Sequence, residues 1–231
     1  MSETSAMAGK LSLLTALQHG DSQFPGGSFA FSWGLETLQA DGHLDRAGFA
    51  AFLGGQMTGR WASFDRLFVG HAHAKAGDAT ALGIDDDLLD AMLVGETQRL
   101  GSIRAGGSLL LVHAQLGTPG VASYRRLVLA GEVQGHLPIV QGLVLAGVGL
   151  GLMETLLVAA YQTAAAFCSA ATRLGLISHL DGQRALLACR AEIAAAADPS
   201  LPPLSAATSF TPLADMAMMR HASQSGRLFA S

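Results

Sequence analysis

The stretch PIVQGLVLAGVGLGLMETLLVAAYQTAAAFCSAATR, residues 138–173, decides the fold class. No residue from Pro138 to Met153 is charged, and after Glu154 none is charged until Arg173. Length alone would permit a membrane span. Against a span stand Gln141, Glu154 near the middle, and Gly and Ala where a spanning helix carries Leu and Ile. The stretch also lacks a Trp/Tyr belt and a flanking cluster of Lys and Arg. It reads as a pair of core helices buried on most sides, and a membrane-associated protein stays only as a third alternative.

Outward from this core the helical period persists. Leu11, Leu14 and Leu17 recur at helical spacing, as do Leu35 and Leu38, with Ser32 as a plausible N-cap. Asp45 is placed to cap 46–57, whose stripe includes Phe49, Phe52 and Leu53, and Trp61, Phe64, Leu67 and Phe68 make another stripe. Asp85, Asp86 and Asp87 suit a helix N-terminus, opening a segment through Leu100. Residues 103–116, 124–130, 139–150, 154–174 and 183–197 complete the set. There is no sustained period-two alternation and no hairpin turn between strand-like runs. Gly142, Gly147, Gly149 and Gly151 predict tight helix packing, since each helical Gly costs about 1 kcal/mol unless a close approach offsets it. Residues 198–212, with Pro199, Pro202, Pro203 and Pro212, cannot form one helix. The expectation is an all-α, single-domain bundle of about ten helices over 11–197, a disordered N-terminus over 1–10, and a Pro-rich segment leading to a flexible tail over 198–231.

Composition narrows the function. Of 231 residues 50% are apolar and 14% charged, and the mean hydropathy is +0.36, so the apolar surface needs a deep core or an interface. A net charge of −4 argues against nucleic-acid binding, which needs a clustered basic field. Cys168 and Cys189 have no metal-like spacing and read as buried thiols of a reducing compartment. Gly147-Val-Gly149-Leu-Gly151 imitates a dinucleotide loop but lacks the full spacing and a downstream acid. His71-x-His73 points to two faces of a helix, which disfavours one shared ion. His136, His179 and His221 are isolated in sequence. No nucleophile–base set or acid–base pair stands out, so a non-catalytic protein that grips other proteins is the leading reading. A helical small-ligand-binding protein or enzyme with its pocket among the Gly-rich helices is the alternative.

Two segments carry more specification than local structure needs. The first is Asp21-Ser-Gln-Phe-Pro25-Gly-Gly27-Ser-Phe29-Ala-Phe-Ser32-Trp-Gly34-Leu35-Glu36. The second is the end of the chain, Met219-Arg220-His221-Ala-Ser-Gln224-Ser-Gly-Arg227-Leu228-Phe229-Ala-Ser231. It combines arginines with apolar anchors, the residue types that dominate interface energetics. Together they resemble the UreF family of urease accessory proteins. The resemblance continues through Arg99, Ser102 and Gly106, then Gly131, His136-Leu-Pro138 and Gly142, then Arg173-Leu174 and Asp181-Gly182-Gln183. Ala222, Ala230 and Ser178-His179-Leu180 depart from the family's usual residues.

The resemblance implies an all-α homodimer in the cytoplasm that helps to activate urease without catalysing a reaction itself. It implies binding to a UreD/UreH-type accessory protein, recruitment of a UreG-type GTPase, and a seat on apo-urease. No cofactor is held stably, and nickel passes through the complex as cargo. By this reading Arg220, His221, Gln224, Arg227, Leu228, Phe229 and Ser231 dock into the UreD-type partner. Pro25, Gly27, Phe29, Ser32, Gly34, Leu35 and Glu36 shape the fold or the partner surface.

Overall fold

Helix α9, Leu152–Arg173, has the length and apolar composition to cross a membrane, but in the computed structural model it lies in the core. The structure describes residues 3–21, 23–26 and 33–221. Leu156, Ala159, Ala160, Ala164, Ala170 and Ala171 of α9 are fully buried. Helix α8, Leu137–Gly147, is buried on every side from Leu137 to Leu145, as a helix apolar all round must be. The described residues are helices and connecting segments, with no strand among them, in agreement with the all-α expectation.

Glycine sets how closely α8 approaches α4, Arg66–Ala74. A Cβ on Gly142 would collide with the Val69 carbonyl and lie 2.8 Å from the His73 nitrogen. Gly147 is similarly shut in by Thr118 and the Pro119 carbonyl. Gly149 and Gly151 behave differently from the expectation. Gly149 has φ +88° and open space around it, and Gly151 is the N-cap of α9. These two break the chain between α8 and α9 and do not pack helices together. Gly142 and Gly147 thus bring backbones into close contact.

The stripe Trp61, Phe64, Leu67 and Phe68 is buried as expected, each at 3% exposure or less. It lies on a continuous rod made of α3 (Phe49–Gln56), a π-helical segment (Met57–Asp65) and α4. The N-cap of α3 is Gly48, and Asp45 accepts the Gly48 N–H in the turn before it.

The acidic run does not open a helix. Helix α5 is Ala79–Met92, capped by Asp78, whose side chain accepts the Ala81 N–H. Asp85, in mid-helix, pairs with Lys75 at 2.7 Å. Asp86 is fully buried and accepts three backbone N–H bonds, from Gln134, Gly135 and His136. Long-range partners, invisible to helix periodicity, outweigh the dipole at the helix start. Helix α6, Glu96–Leu116, follows as a separate helix, then α7, Val121–Ala130. Most of the mid-chain residues that resemble the family act here as scaffold. Arg99 and His136 both bond Asp90, the Ser102 hydroxyl accepts the Leu137 N–H, and Gly106 leaves room for the backbone at Gly135 and His136.

Ser178 caps α10, His179–Ala188, in a reciprocal box with Asp181. The Ser178 hydroxyl and then Arg46 hold the Asp181 carboxyl well below the usual range. The single helix expected over 183–197 is two: α10 ends at Ala188, Cys189 lies between, and α11 is Arg190–Ala196. At the N-terminus, α1 runs Glu3–Gly20. Helix begins eight residues before the expected Leu11 and extends into the stretch read as disordered.

The Pro-rich segment is not a free linker but a strap along the rod. The buried Arg66 guanidinium donates to the carbonyls of Asp198 and Ser200, and His71 reaches the Pro202 carbonyl at 2.9 Å. The Phe210 N–H donates to the Gly59 carbonyl, and the Ser63 hydroxyl to that of Thr208. His73 bonds the Leu150 carbonyl instead, so the two rings of His71-x-His73 serve carbonyls in separate parts of the fold. The strap delivers the last described helix, α12, Pro212–His221.

Candidate partner-binding site

The helices that adjoin the two segments that carried the resemblance lie far apart in sequence and meet in space. Helix α2, Leu35–Ala40, grows out of the N-terminal motif, and α12 packs directly on it. The N-cap of α2 is Gly34, not Ser32. Trp33 and Gly34 both have positive φ, +50° and +81°, turning the chain sharply into the helix. Gly34 is also where α12 comes closest. A Cβ there would lie 3.0 Å from the Ala214 carbonyl, 3.2 Å from Met218 and 3.3 Å from Ala217. Glycine is thus required twice, for the left-handed backbone and for the approach.

Below this contact, Leu35, Thr37 and Leu38 are buried to 1% or less. Helix α12 presents Ala214, Ala217 and Met218 inward, all within 5% of full burial. The Thr211 hydroxyl donates to Asp215 in its first turn, and Arg220 forms an ion pair with Asp41 just past the end of α2. Arg220 is therefore placed on the body of the protein, at the point where the chain leaves α12. Glu36 sits in the first turn of α2, where the helix dipole favours a carboxylate.

A cavity of about 40 Å³ lies under the junction, lined by Trp33, Arg60, Trp61, Asp65, Gln141 and Met218 among others. That suffices for a water or two and not for an organic ligand. Arg60 bonds Asp65 at 3.1 Å and lies over the Phe64 ring. Burial pushes the Asp65 carboxyl above its usual range, and Arg60 opposes the shift. The Trp61 indole N–H, also buried, has no hydrogen-bond partner among the described residues.

The outer side of α12 is apolar too. Leu213, Met216 and Met219 are 45%, 56% and 53% exposed, and Phe210 just before the helix is 80% exposed. Residues at i, i+3 and i+6 form one stripe opposite Ala214, Ala217 and Met218. A soluble surface has no intramolecular reason to display a contiguous patch of flexible methionines, whereas adaptable binding surfaces use them. This stripe lies outside the set expected to dock, which centres on Arg227, Leu228 and Phe229. Its signal was legible as the three-residue spacing of Leu213, Met216 and Met219.

Of the motif residues, Pro25 is exposed in the turn that follows α1, and Gly34, Leu35 and Glu36 lie at the junction. Gly27, Phe29, Ser32, Gln224, Arg227, Leu228, Phe229 and Ser231 lie outside the described residues, as do Ala222, Ala230 and the side chain of His221.

Comparison with known proteins places the chain in one family. The UreF family profile matches residues 44–190. The urease accessory protein UreF of Agrobacterium fabrum is 32% identical over 98% of this chain and 100% of its own. The UreF proteins of an Arthrobacter strain and of Trichodesmium erythraeum are 30% and 28% identical, covering 91% and 94% of this chain and 93% and 96% of theirs. The family profile covers most of the chain and these relatives cover more than nine-tenths of it, and the chain belongs to the UreF family of urease accessory proteins.

Proposed function

We propose that this protein is a non-catalytic scaffold for nickel insertion into urease, working in the cytoplasm as a homodimer. It binds a UreD/UreH-type accessory protein, recruits a UreG-type GTPase and seats the assembly on apo-urease, with nickel as cargo in transit. The α2–α12 junction supports this reading most directly. There the N-terminal motif holds the tail helix in place by close packing, while the outer stripe Leu213, Met216 and Met219 is left to a partner. Gln224 to Ser231, with Leu228 and Phe229 as anchors, dock into the UreD-type protein. Arg220, paired with Asp41, fixes where they depart.

The test is co-purification with the UreD/UreH-type partner. Met216→Glu with Met219→Glu places two charges on the exposed stripe without touching Ala214, Ala217 or Met218. Interface anchors cost more than about 1 kcal/mol each on removal, so capture should fall at least ~10-fold. A chain ending at His221 tests the terminal anchors separately. One ending at Leu213 would strip the packing residues from α2 and confuse the two effects. Undiminished capture by both the stripe variant and the chain ending at His221 would overturn the assignment of the tail.

A further inference from the structure

Two buried imidazoles meet where helices α1 and α6 end. His19 lies in the last turn of α1 and His113 in the last turn of α6, at 3% and 0% exposure. Their ring centroids are 5.3 Å apart, and the Phe24 ring lies against both, at 4.6 Å and 5.6 Å. A polar latch fixes the pair. His19 donates from Nδ1 to the Thr15 carbonyl, and His113 Nδ1 bonds the Thr118 hydroxyl, each at 2.8 Å. The Gln162 amide donates to the His19 carbonyl and accepts in turn from Gln141. With both Nδ1 atoms engaged, both Nε2 atoms are left buried with no hydrogen-bond partner among the described residues. Each such orphan costs about 1–3 kcal/mol, and the packing of α1 on its neighbours does not require two of them.

We infer that His19 and His113 together form a site for a divalent late transition-metal ion, ligated through both Nε2 atoms and completed by water. An anchored Nδ1 with a bare Nε2 is the arrangement of a metal-ligating histidine, whose other nitrogen donates to a carbonyl or a similar acceptor. The spacing fits a tetrahedral ion. With nitrogen ligands at ~2.0–2.1 Å, two ring centroids stand ~3.2 Å from the ion and so ~5.2 Å from each other. The field fits as well, because two helices end here and helix dipoles favour a cation at the C-terminus. Burial lowers the pKa of both rings, that of His113 to about 4, so both stand in the neutral, ligating form at pH 7. No third His, Cys, Asp or Glu joins them among the described residues. Two imidazoles and water make an exchangeable site that takes zinc, nickel or copper and refuses magnesium and calcium. The inference goes beyond the proposed function and needs none of its partners.

Calorimetric titration of the full chain with zinc, nickel and magnesium tests it, beside His19→Gln with His113→Asn. Wild type should bind one zinc or nickel ion per chain beyond what the double variant binds, and no magnesium. Thr118→Val removes the acceptor of His113 Nδ1 and leaves both ligands, so it should weaken that site ~10- to 100-fold. Nitrogen NMR of the wild-type histidines reads the site without any substitution: stoichiometric zinc should shift the Nε2 resonances of His19 and His113. Equal binding by wild type and double variant, or zinc that shifts only other imidazoles, would overturn the inference and leave a bridging water between the two rings.

Discussion

Gly34→Ala probes the junction where the two ends of the chain meet. The substitution adds one methyl group, and two costs follow from geometry. At φ +81° a non-glycine residue is strained by about 1–2 kcal/mol. The new Cβ would also lie 3.0 Å from the Ala214 carbonyl and within 3.3 Å of Met218 and Ala217, and such overpacking costs about 1–3 kcal/mol. Gly42→Ala supplies the control. Its φ is +72° and nothing lies within 4 Å of the added Cβ, so it carries only the backbone cost. The excess of Gly34→Ala over Gly42→Ala, about 1–3 kcal/mol, measures the packing of α12 on α2. That excess should appear locally, because α12 can lift from the body without opening the α8–α9 core. Amide hydrogen exchange over residues 212–221 should therefore quicken ~5- to 100-fold in Gly34→Ala relative to Gly42→Ala. Exchange within α8 should stay the same in both. Equal exchange in the two variants would refute the claim that Gly34 seats the tail helix.

Asp86→Asn replaces a buried acceptor of three backbone N–H bonds with an amide that must turn two hydrogens toward donors. A loss of about 2–4 kcal/mol in urea-unfolding stability is expected, and a change under 1 kcal/mol would show that the 134–136 loop is held by other means. Acid should loosen the His19–His113 latch. Burial first, and the neighbouring His19 second, lower the His113 pKa to about 4 from 6.5. The unfolded chain therefore takes up this proton first, and the stability contributed is full above pH 6.5 and lost as pH falls toward 4. His113→Asn, which cannot titrate, should show a shallower fall in stability from pH 6.5 to 4 than wild type, measured by urea unfolding. Identical slopes would remove His113 as the cause.

What the sequence made legible follows from which interactions are local. The stripe Trp61–Phe68 and the buried run through α8 and α9 could be read because one face, or every face, meets the core at helical period. The breaks at residues 198–212 could be read because proline cannot donate. The motif at Gly34 and the tail at Arg220 marked the site, yet not that their helices touch, since positions 34 and 214 lie far apart in the chain and meet only once the strap held by Arg66, His71 and Ser63 has delivered α12. Asp85–Asp87 were misplaced because Lys75 and the loop at 134–136 lie outside any helical window. Helix α1 was legible as a helix from Leu11, Leu14 and Leu17, but periodicity locates an apolar face without saying what covers it. The same limit hid the stripe at Leu213, Met216 and Met219, which is apolar on the side that its own fold does not use.

Nickel-dependent activation of apo-urease, reconstituted from purified accessory proteins, tests the central claim most directly. Activity should require this chain, and Met216→Glu with Met219→Glu should lower it at least ~10-fold while the protein stays folded. Full activation with the chain omitted, or with the stripe charged, would contradict it.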